Sequence, residues 1–335
     1  MKYTIRQLAA SLLLSLAASS SQALTSSPEI NAFAEEMAKK HGFESSQITR
    51  LLSQAKFRDD IIRAISRPAE SKAWHEYRPI FLTEDRIRGG ISFWRQNQAL
   101  LEQVSREYGV PPEIIVAIIG VETRYGRHTG RYRVLDALTT LAFGYPKRSK
   151  FFRSELEQFL LLSREEQISP AASKGSYAGA MGMPQFISSS YRTYAVDHDK
   201  DGHRDLWNNK ADVIASVANY FKRHGWRAGE PIALRVRGGS KVHEKYVERG
   251  MKPVTPVTEL LASGLKAEQA PQLTGDALGS LIRLDAGEED EYWVGLHNFY
   301  VITRYNHSNL YAMATYQLSR AIKRAKEARE RAPLD

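Results

Sequence analysis

Pro111-Pro112-Glu113-Ile114-Ile115-Val116-Ala117-Ile118-Ile119-Gly120-Val121-Glu122-Thr123-Arg124-Tyr125-Gly126 is the stretch that decides how this chain is read. Its middle is apolar at position after position, and a helix apolar on all faces is one wrapped by other elements. Proline in the first turn and glycine just past the end supply a start and a stop. The spacing therefore predicts a buried helix whose last turn carries Glu122 at the wall of a core. Burial disfavours a charged carboxylate and raises its pKa, which suits a group that donates a proton near neutral pH. The alternative is a structural glutamate paired with Arg124, Arg127 or another cation, because ion pairs also perturb pKa values.

Most of the chain on either side reads as helix. Ser27-Pro28-Glu29 opens a helix with Ile30, Phe33, Ala34 and Met37 at helical spacing, closed by His41-Gly42. A short helix follows Ser45-Ser46, a third starts at Asp59-Asp60, and one long segment runs from Thr83 to about Tyr108. The texture changes near Pro231. Alternation in Ile232-Ala233-Leu234-Arg235-Val236, glycines at 238 and 239, and Leu281-Ile282-Arg283-Leu284 predict short strands with turns. From Trp293 the helical pattern returns through Leu310, Tyr311, Met313, Ala314, Leu318 and Ile322. The fold class expected is mainly α with a small inserted β-rich domain, in five segments: 1–23, 24–80 (helical), 81–230 (core), 231–290 (β-rich insert) and 291–335 (return to core and helix).

Lys2 and Arg6 precede an apolar stretch from Leu8 to Ala18, and Ser21-Gln22-Ala23 is a small-x-small site, so residues 1–23 read as a secretory signal peptide. Removing them leaves 335 − 23 = 312 residues, and the loss of two basic side chains takes the net charge from +9 to +7. No later stretch approaches the roughly 20 apolar residues of a membrane helix. With Cys 0 the chain has no disulfide, no thiolate metal site and no lipid-modified cysteine. An exported basic protein points to an anionic envelope polymer rather than nucleic acid. His75-Glu76 and His243-Glu244 each lack the second histidine of a metalloprotease helix.

Asp197-His198-Asp199-Lys200-Asp201-Gly202-His203-Arg204-Asp205-Leu206 reads as an EF-hand-like calcium loop. Such a loop takes oxygen ligands from positions 1, 3, 5, 7 and 9, with glycine at 6 for the sharp turn. Asp197, Asp199, Asp201, Gly202, the His203 carbonyl and Asp205 fill those places. Asn208 stands where a bidentate glutamate is expected, so Asp212 is the candidate for the closing ligand. A chance acidic loop is the alternative. Calcium is the one cofactor expected, in a structural role, with no organic cofactor.

Three separated motifs then bear on function. Gly175-Ser176-Tyr177-Ala178-Gly179-Ala180-Met181-Gly182-Met183-Pro184-Gln185-Phe186-Ile187-Ser188-Ser189-Ser190-Tyr191 combines small residues that let backbone approach a ligand with an amide and an aromatic face. Together with Val121-Glu122-Thr123-Arg124-Tyr125-Gly126 before it and Ile302-Thr303-Arg304-Tyr305-Asn306-His307-Ser308-Asn309-Leu310-Tyr311 after it, it closely resembles the lytic murein transglycosylase B family, glycoside hydrolase family 103. The likeness runs from roughly Phe33 to Leu318.

That resemblance implies a lysozyme-like helical core and cleavage of the β-1,4 bond between N-acetylmuramic acid and N-acetylglucosamine, leaving a 1,6-anhydromuramoyl end. It implies Glu122 as sole catalytic carboxylate, acid first and base second. Ser176, Gln185, Tyr220, Tyr305, Asn306 and Tyr311 take the cleft and sugar subsites, and Tyr77, Lys147 and Arg148 the glycan and peptide contacts. Lys147 departs from the usual arginine, and the calcium loop is one residue longer than usual before Asp212. The partners implied are peptidoglycan glycan strands, with cell-wall synthases as further candidates, in the periplasm and without a lipid anchor. A muramidase that uses water would need the same acid. A non-catalytic peptidoglycan-binding protein is the reading from another class.

Overall fold

The computed structural model describes residues 28–67, 72–269, 273 and 275–331; the expected signal segment lies outside them. Along the chain come α1 (Pro28–His41), α2 (Ser45–Leu52), α3 (Asp59–Ile65), α4 (Trp74–Phe81), α5 (Glu84–Gln96), α6 (Gln98–Tyr108) and α7 (Pro112–Thr123). After them follow β1 (Tyr132–Arg133), α8 (Val134–Gly144), α9 (Ser149–Glu165), β2 (Lys174–Gly175), α10 (Ser188–Tyr194) and α11 (Lys210–Arg223). The strand-bearing part holds β3 (Ala233–Arg237), α12 (Glu244–Val247), β4 (Thr255–Pro256), α13 (Val257–Ala262), β5 (Lys266–Ala267), β6 (Leu278–Asp285) and β7 (Asp290–Gly295). α14 (His297–Thr303) and α15 (Asn309–Arg331) close the fold. It is mostly helical with a small sheet.

Two compact units divide these elements. The first takes the described residues up to Arg67 with Gly130–Met181 and Gln185–Thr193. Ile30, Phe33 and Met37 of α1, Leu52 of α2, Ile61 of α3, Leu138 of α8 and Phe152, Leu156 and Phe159 of α9 form its buried interior. β1 and β2 of this unit pair antiparallel, Tyr132 opposite Gly175. A Cβ on Gly130, at φ +102°, would lie 2.0 Å from the Gly175 backbone, so only glycine lets the two segments meet there.

The second unit takes the described parts of 68–129, 182–184 and 194–335. Its central element is α7, where Ile114 to Val121 are all buried as the apolar run predicts. β4-β6-β7-β3-β5 is the strand order of its sheet, which pairs antiparallel throughout. Val236, Leu281 and Val294 from the strands and Tyr246, Val257 and Leu260 from α12 and α13 bury one another on one side of that sheet.

Three elements differ from expectation. The long segment from Thr83 is two helices, because Asn97, at φ −122° and ψ 24°, turns its side-chain amide onto the Phe93 carbonyl at 2.8 Å and interrupts the ladder. α4 was not foreseen; Pro79 lies inside it, yet Trp74 and Tyr77, one turn apart, are both buried and hold it. The return to helix comes after Trp293 rather than at it. Tyr292, Trp293 and Val294 pair with Arg283, Ile282 and Leu281 of β6, and aromatic and β-branched side chains favour that pleated surface.

Candidate active site

α7 ends in three successive left-handed residues, Arg124 at φ 49°, Tyr125 at φ 63° and Gly126 at φ 89°. The Tyr125 ring folds back along the helix, and a Cβ on Gly120 would sit 2.5 Å from its Oη. That Oη donates to the Arg86 carbonyl at 2.7 Å, and Arg86 Nε donates to the Gly120 carbonyl at 3.0 Å. The last turn of α7 is thus tied by its carbonyl end to α5, and Glu122 is presented from a rigid support.

Arg127 reaches Asp85 at 3.8 Å, and Glu122 forms no ion pair among the described residues. Glu122 is half-buried as a residue. Burial pushes it from its ordinary value of 4.5 up to about 7, against the opposing effect of a hydrogen bond from Tyr311. Tyr311 Oη donates to Glu122 Oε1 at 2.5 Å from the first turn of α15. The group is therefore poised to exchange a proton near neutrality.

A tyrosine layer backs this pair. Tyr305 stacks on Tyr311 with ring planes 11° apart and centroids at 6.4 Å, and Tyr220 follows at 4.7 Å from Tyr305. Burial pushes the hydroxyls of Tyr305 and Tyr311 well above their ordinary range, with the nearby Glu122 charge adding to it. They are neutral donors: Tyr305 donates to the Pro184 carbonyl at 2.7 Å and Tyr220 to the Arg304 carbonyl. Tyr77 is buried beside Trp74 and adds to the upward push on the Tyr311 hydroxyl. Asn306 sits in the turn before α15, its carbonyl accepting from Ser308 at 2.6 Å.

Sequence reasoning passed over two contributors. Thr123 is fully buried, donates to the Met183 carbonyl at 2.9 Å and accepts from Gly126 N–H at 3.0 Å, clamping the residue after Glu122. His224 lies flat on Tyr220 at 4.1 Å, and burial lowers its pKa. Thr123 stands inside the Glu122 motif and could have been suspected there; nothing local in the sequence marks His224.

The acidic loop contributes to the same unit. Asp197, Asp199 and Asp212 bring carboxylate oxygens within 4.8 Å of one another. Asp201 and Asp205 are not part of that group: Asp201 accepts from His203 N–H, and Asp205 from the N–H groups of Trp207 and Asn208. Asp212 is buried and accepts from the N–H groups of His198 and Asp205, both at 2.8 Å. Burial and the charges of Asp199 and Asp197 all push its pKa up. Three converging carboxylates with only oxygen donors fit a hard cation such as Ca2+. The Leu206 carbonyl of this loop accepts from Met183 N–H at 2.8 Å, so Met183 links the loop to Thr123.

The remaining candidates belong to the first unit. Ser176 Oγ accepts from Ala178 and Ala180 N–H at 3.2 and 3.0 Å, so its hydroxyl shapes a tight turn. Gln185 takes a left-handed backbone at φ 53°, rare for a residue with a side chain. Lys147 and Arg148 lie exposed in a single 3-10 turn, and the Arg148 guanidinium stands over the Phe151 ring at 4.3 Å.

Comparison with known proteins settles the family. A family model described as "Transglycosylase SLT domain" matches residues 25–320. The membrane-bound lytic murein transglycosylase B of Escherichia coli K12 is 46% identical over 305 residues, 88% of this chain and 82% of that one. The chain belongs to the lytic murein transglycosylase B family. It is an enzyme. Soluble lytic transglycosylase SltB1 of Pseudomonas aeruginosa superposes with a TM-score of 0.84 at 50% identity, covering 90% of this chain and all of that one. Lytic transglycosylase Slt35 of Escherichia coli, in a structure with calcium, superposes with a TM-score of 0.82 at 46% identity, covering 90% of this chain and 95% of that one. Among the described residues no helix is long and apolar enough to cross a membrane.

Proposed function

We propose that this transglycosylase acts on peptidoglycan in the periplasm, cleaving the β-1,4 bond between N-acetylmuramic acid and N-acetylglucosamine, with Glu122 as its single catalytic carboxylate. Glu122, protonated, gives its proton to the leaving glycosidic oxygen as the bond to the muramoyl C1 breaks. The resulting carboxylate, held by the Tyr311 hydroxyl, takes the proton of the muramoyl C6 hydroxyl while that oxygen bonds to C1. A 1,6-anhydro ring closes, no water is consumed, and Glu122 is again protonated. Glycosidases with two carboxylates use the second to activate water or to form a covalent intermediate. An internal hydroxyl, at the large effective molarity of a well-placed neighbour, does that work here.

The observation that carries this reading is Glu122 itself, with burial raising it to about 7, Tyr311 on its carboxyl and no charged neighbour among the causes of the shift. Tyr77, Tyr220, Tyr305, Tyr311 and Asn306 are the sugar-contacting positions of its unit. In the other unit Ser176 and Gln185 contact the glycan, and Lys147 with Arg148 meets the carboxylates of its peptides. Asp197, Asp199 and Asp212 are the carboxylates that would hold a structural Ca2+ in an EF-hand-like loop, with the His203 carbonyl as a further oxygen.

Mass spectrometry of the muropeptides released from purified sacculi tests the proposal. Anhydro ends are expected from the native enzyme and none from Glu122→Gln. Products one water heavier would make it a hydrolytic muramidase and overturn the anhydro step; undiminished turnover by Glu122→Gln would remove Glu122 from its role.

A further inference from the structure

β3 and β7 lie side by side with Arg235 opposite Trp293, and these strands line a cavity of about 500 Å³ together with α15. On α15 Tyr316, Arg320 and Arg324 recur every four residues and line it together, while Leu318 and Ile322 turn into the core. Tyr316 is five residues beyond Tyr311, hence about 140° further round the helix. The same helix thus presents Tyr311 to Glu122 and a different face to this cavity.

Four arginines and two glutamates line the cavity, and the glutamates are engaged. Glu268 pairs with Arg237 at 2.9 Å and Arg235 at 3.5 Å, and Glu291 accepts from the Trp293 indole N–H at 3.1 Å. Arg78 donates to Gln317 at 2.9 Å. Arg320 and Arg324 form no ion pair among the described residues, and the fields of both reach the Tyr316 hydroxyl. The Trp293 and Tyr316 rings meet edge to face at 6.2 Å and make an aromatic wall beside these two cations.

We propose that this cavity is a second, non-catalytic site that binds a short acidic peptide, with Arg320 and Arg324 taking its carboxylates and Trp293 with Tyr316 packing on its carbon skeleton. A planar guanidinium matches a carboxylate with two parallel N–H bonds. A flat basic patch would serve a phosphate-bearing membrane; a recess with aromatic walls and two carboxylates among its lining suits a singly charged group on an amphipathic chain, whose N–H groups Glu268 and Glu291 can accept. Identifying that peptide with those of the cell wall rests on the function proposed above. The site would then hold the polymer at a point other than the scissile bond.

Isothermal titration of the purified protein with the tripeptide Ala-Glu-Glu, with the same peptide fully amidated and with inorganic pyrophosphate tests this without any glycan present. The expected result is saturable binding of Ala-Glu-Glu, lost by about tenfold or more on amidation and by a similar factor in the double variant Arg320→Gln, Arg324→Gln. Both arginines are exposed on a helix, and circular dichroism checks that the variant folds. As a second readout, the Trp293 indole N–H resonance moves on titration of the native protein. Absence of binding, equal binding of the amidated peptide, undiminished binding by the double variant, or tighter binding of pyrophosphate each overturns the proposal. If anhydro products still form from sacculi when any of these is observed, only the peptide site falls.

Discussion

A carboxyl raised from 4.5 to about 7 by burial binds its proton more tightly in the folded chain than in the unfolded one. Between those two values the native state holds more protons, so stability is lost as pH rises through the window. Each tenfold gain in proton affinity is worth about 1.36 kcal/mol, so Glu122 costs the fold up to about 3 kcal/mol above pH 7. Glu122→Gln should therefore melt higher than the native protein at pH 8, with the difference closing below pH 4.5. Equal melting temperatures at both pH values would show that the carboxyl is not perturbed. Tyr311 acts in the opposite sense, since its hydrogen bond favours the charged form. Tyr311→Phe should move the alkaline limb of kcat/KM to higher pH and lower kcat, whereas a tyrosine that merely packs would leave the limb in place. Glu122 was legible as a candidate because a carboxylate closing an apolar run is conspicuous. Tyr311 was reached only through family likeness, because 189 residues separate it from Glu122.

Elements convert these side chains into a site. Met183 is held by Thr123 from the end of α7, and its N–H by Leu206 from the acidic loop. The loop is thereby coupled to the turn beside Glu122. A cation that neutralises Asp197, Asp199 and Asp212 should stiffen both. Binding to the native state alone stabilises it by about 2.7 kcal/mol at a hundredfold excess over Kd. Millimolar Ca2+ should raise the melting temperature by about 5 °C over a chelated sample, and Asp212→Ala should abolish the rise. A melting temperature indifferent to chelator would remove Ca2+ from the loop. The spacing of the acidic residues was legible, Asp212 among them; that Asp201 and Asp205 stay outside the converging group was not, because it depends on the path the loop backbone takes rather than on spacing.

Across the whole chain, a net charge of +9, or +7 without residues 1–23, acts at longer range than any of these contacts. Attraction between an anionic sacculus and a basic protein is screened over a Debye length of about 8 Å at physiological ionic strength. Turnover of whole sacculi should fall as salt rises, while cleavage of a short soluble glycan fragment should not. An identical salt response for both would assign the charge to solubility alone. The sequence by itself determined the mainly helical class, the burial of α7 and the position of Glu122, because apolar periodicity, capping residues and a carboxylate at a helix end are local features with local physical causes. It also placed strands beyond Pro231. Only the tertiary structure decided where α5 ends and α6 begins, that Trp293 belongs to a strand, and that Tyr311, Tyr305 and Tyr220 stack in one layer behind Glu122. Those outcomes depend on which distant segments meet, and burial and hydrogen bonding across such contacts override what short stretches of chain prefer.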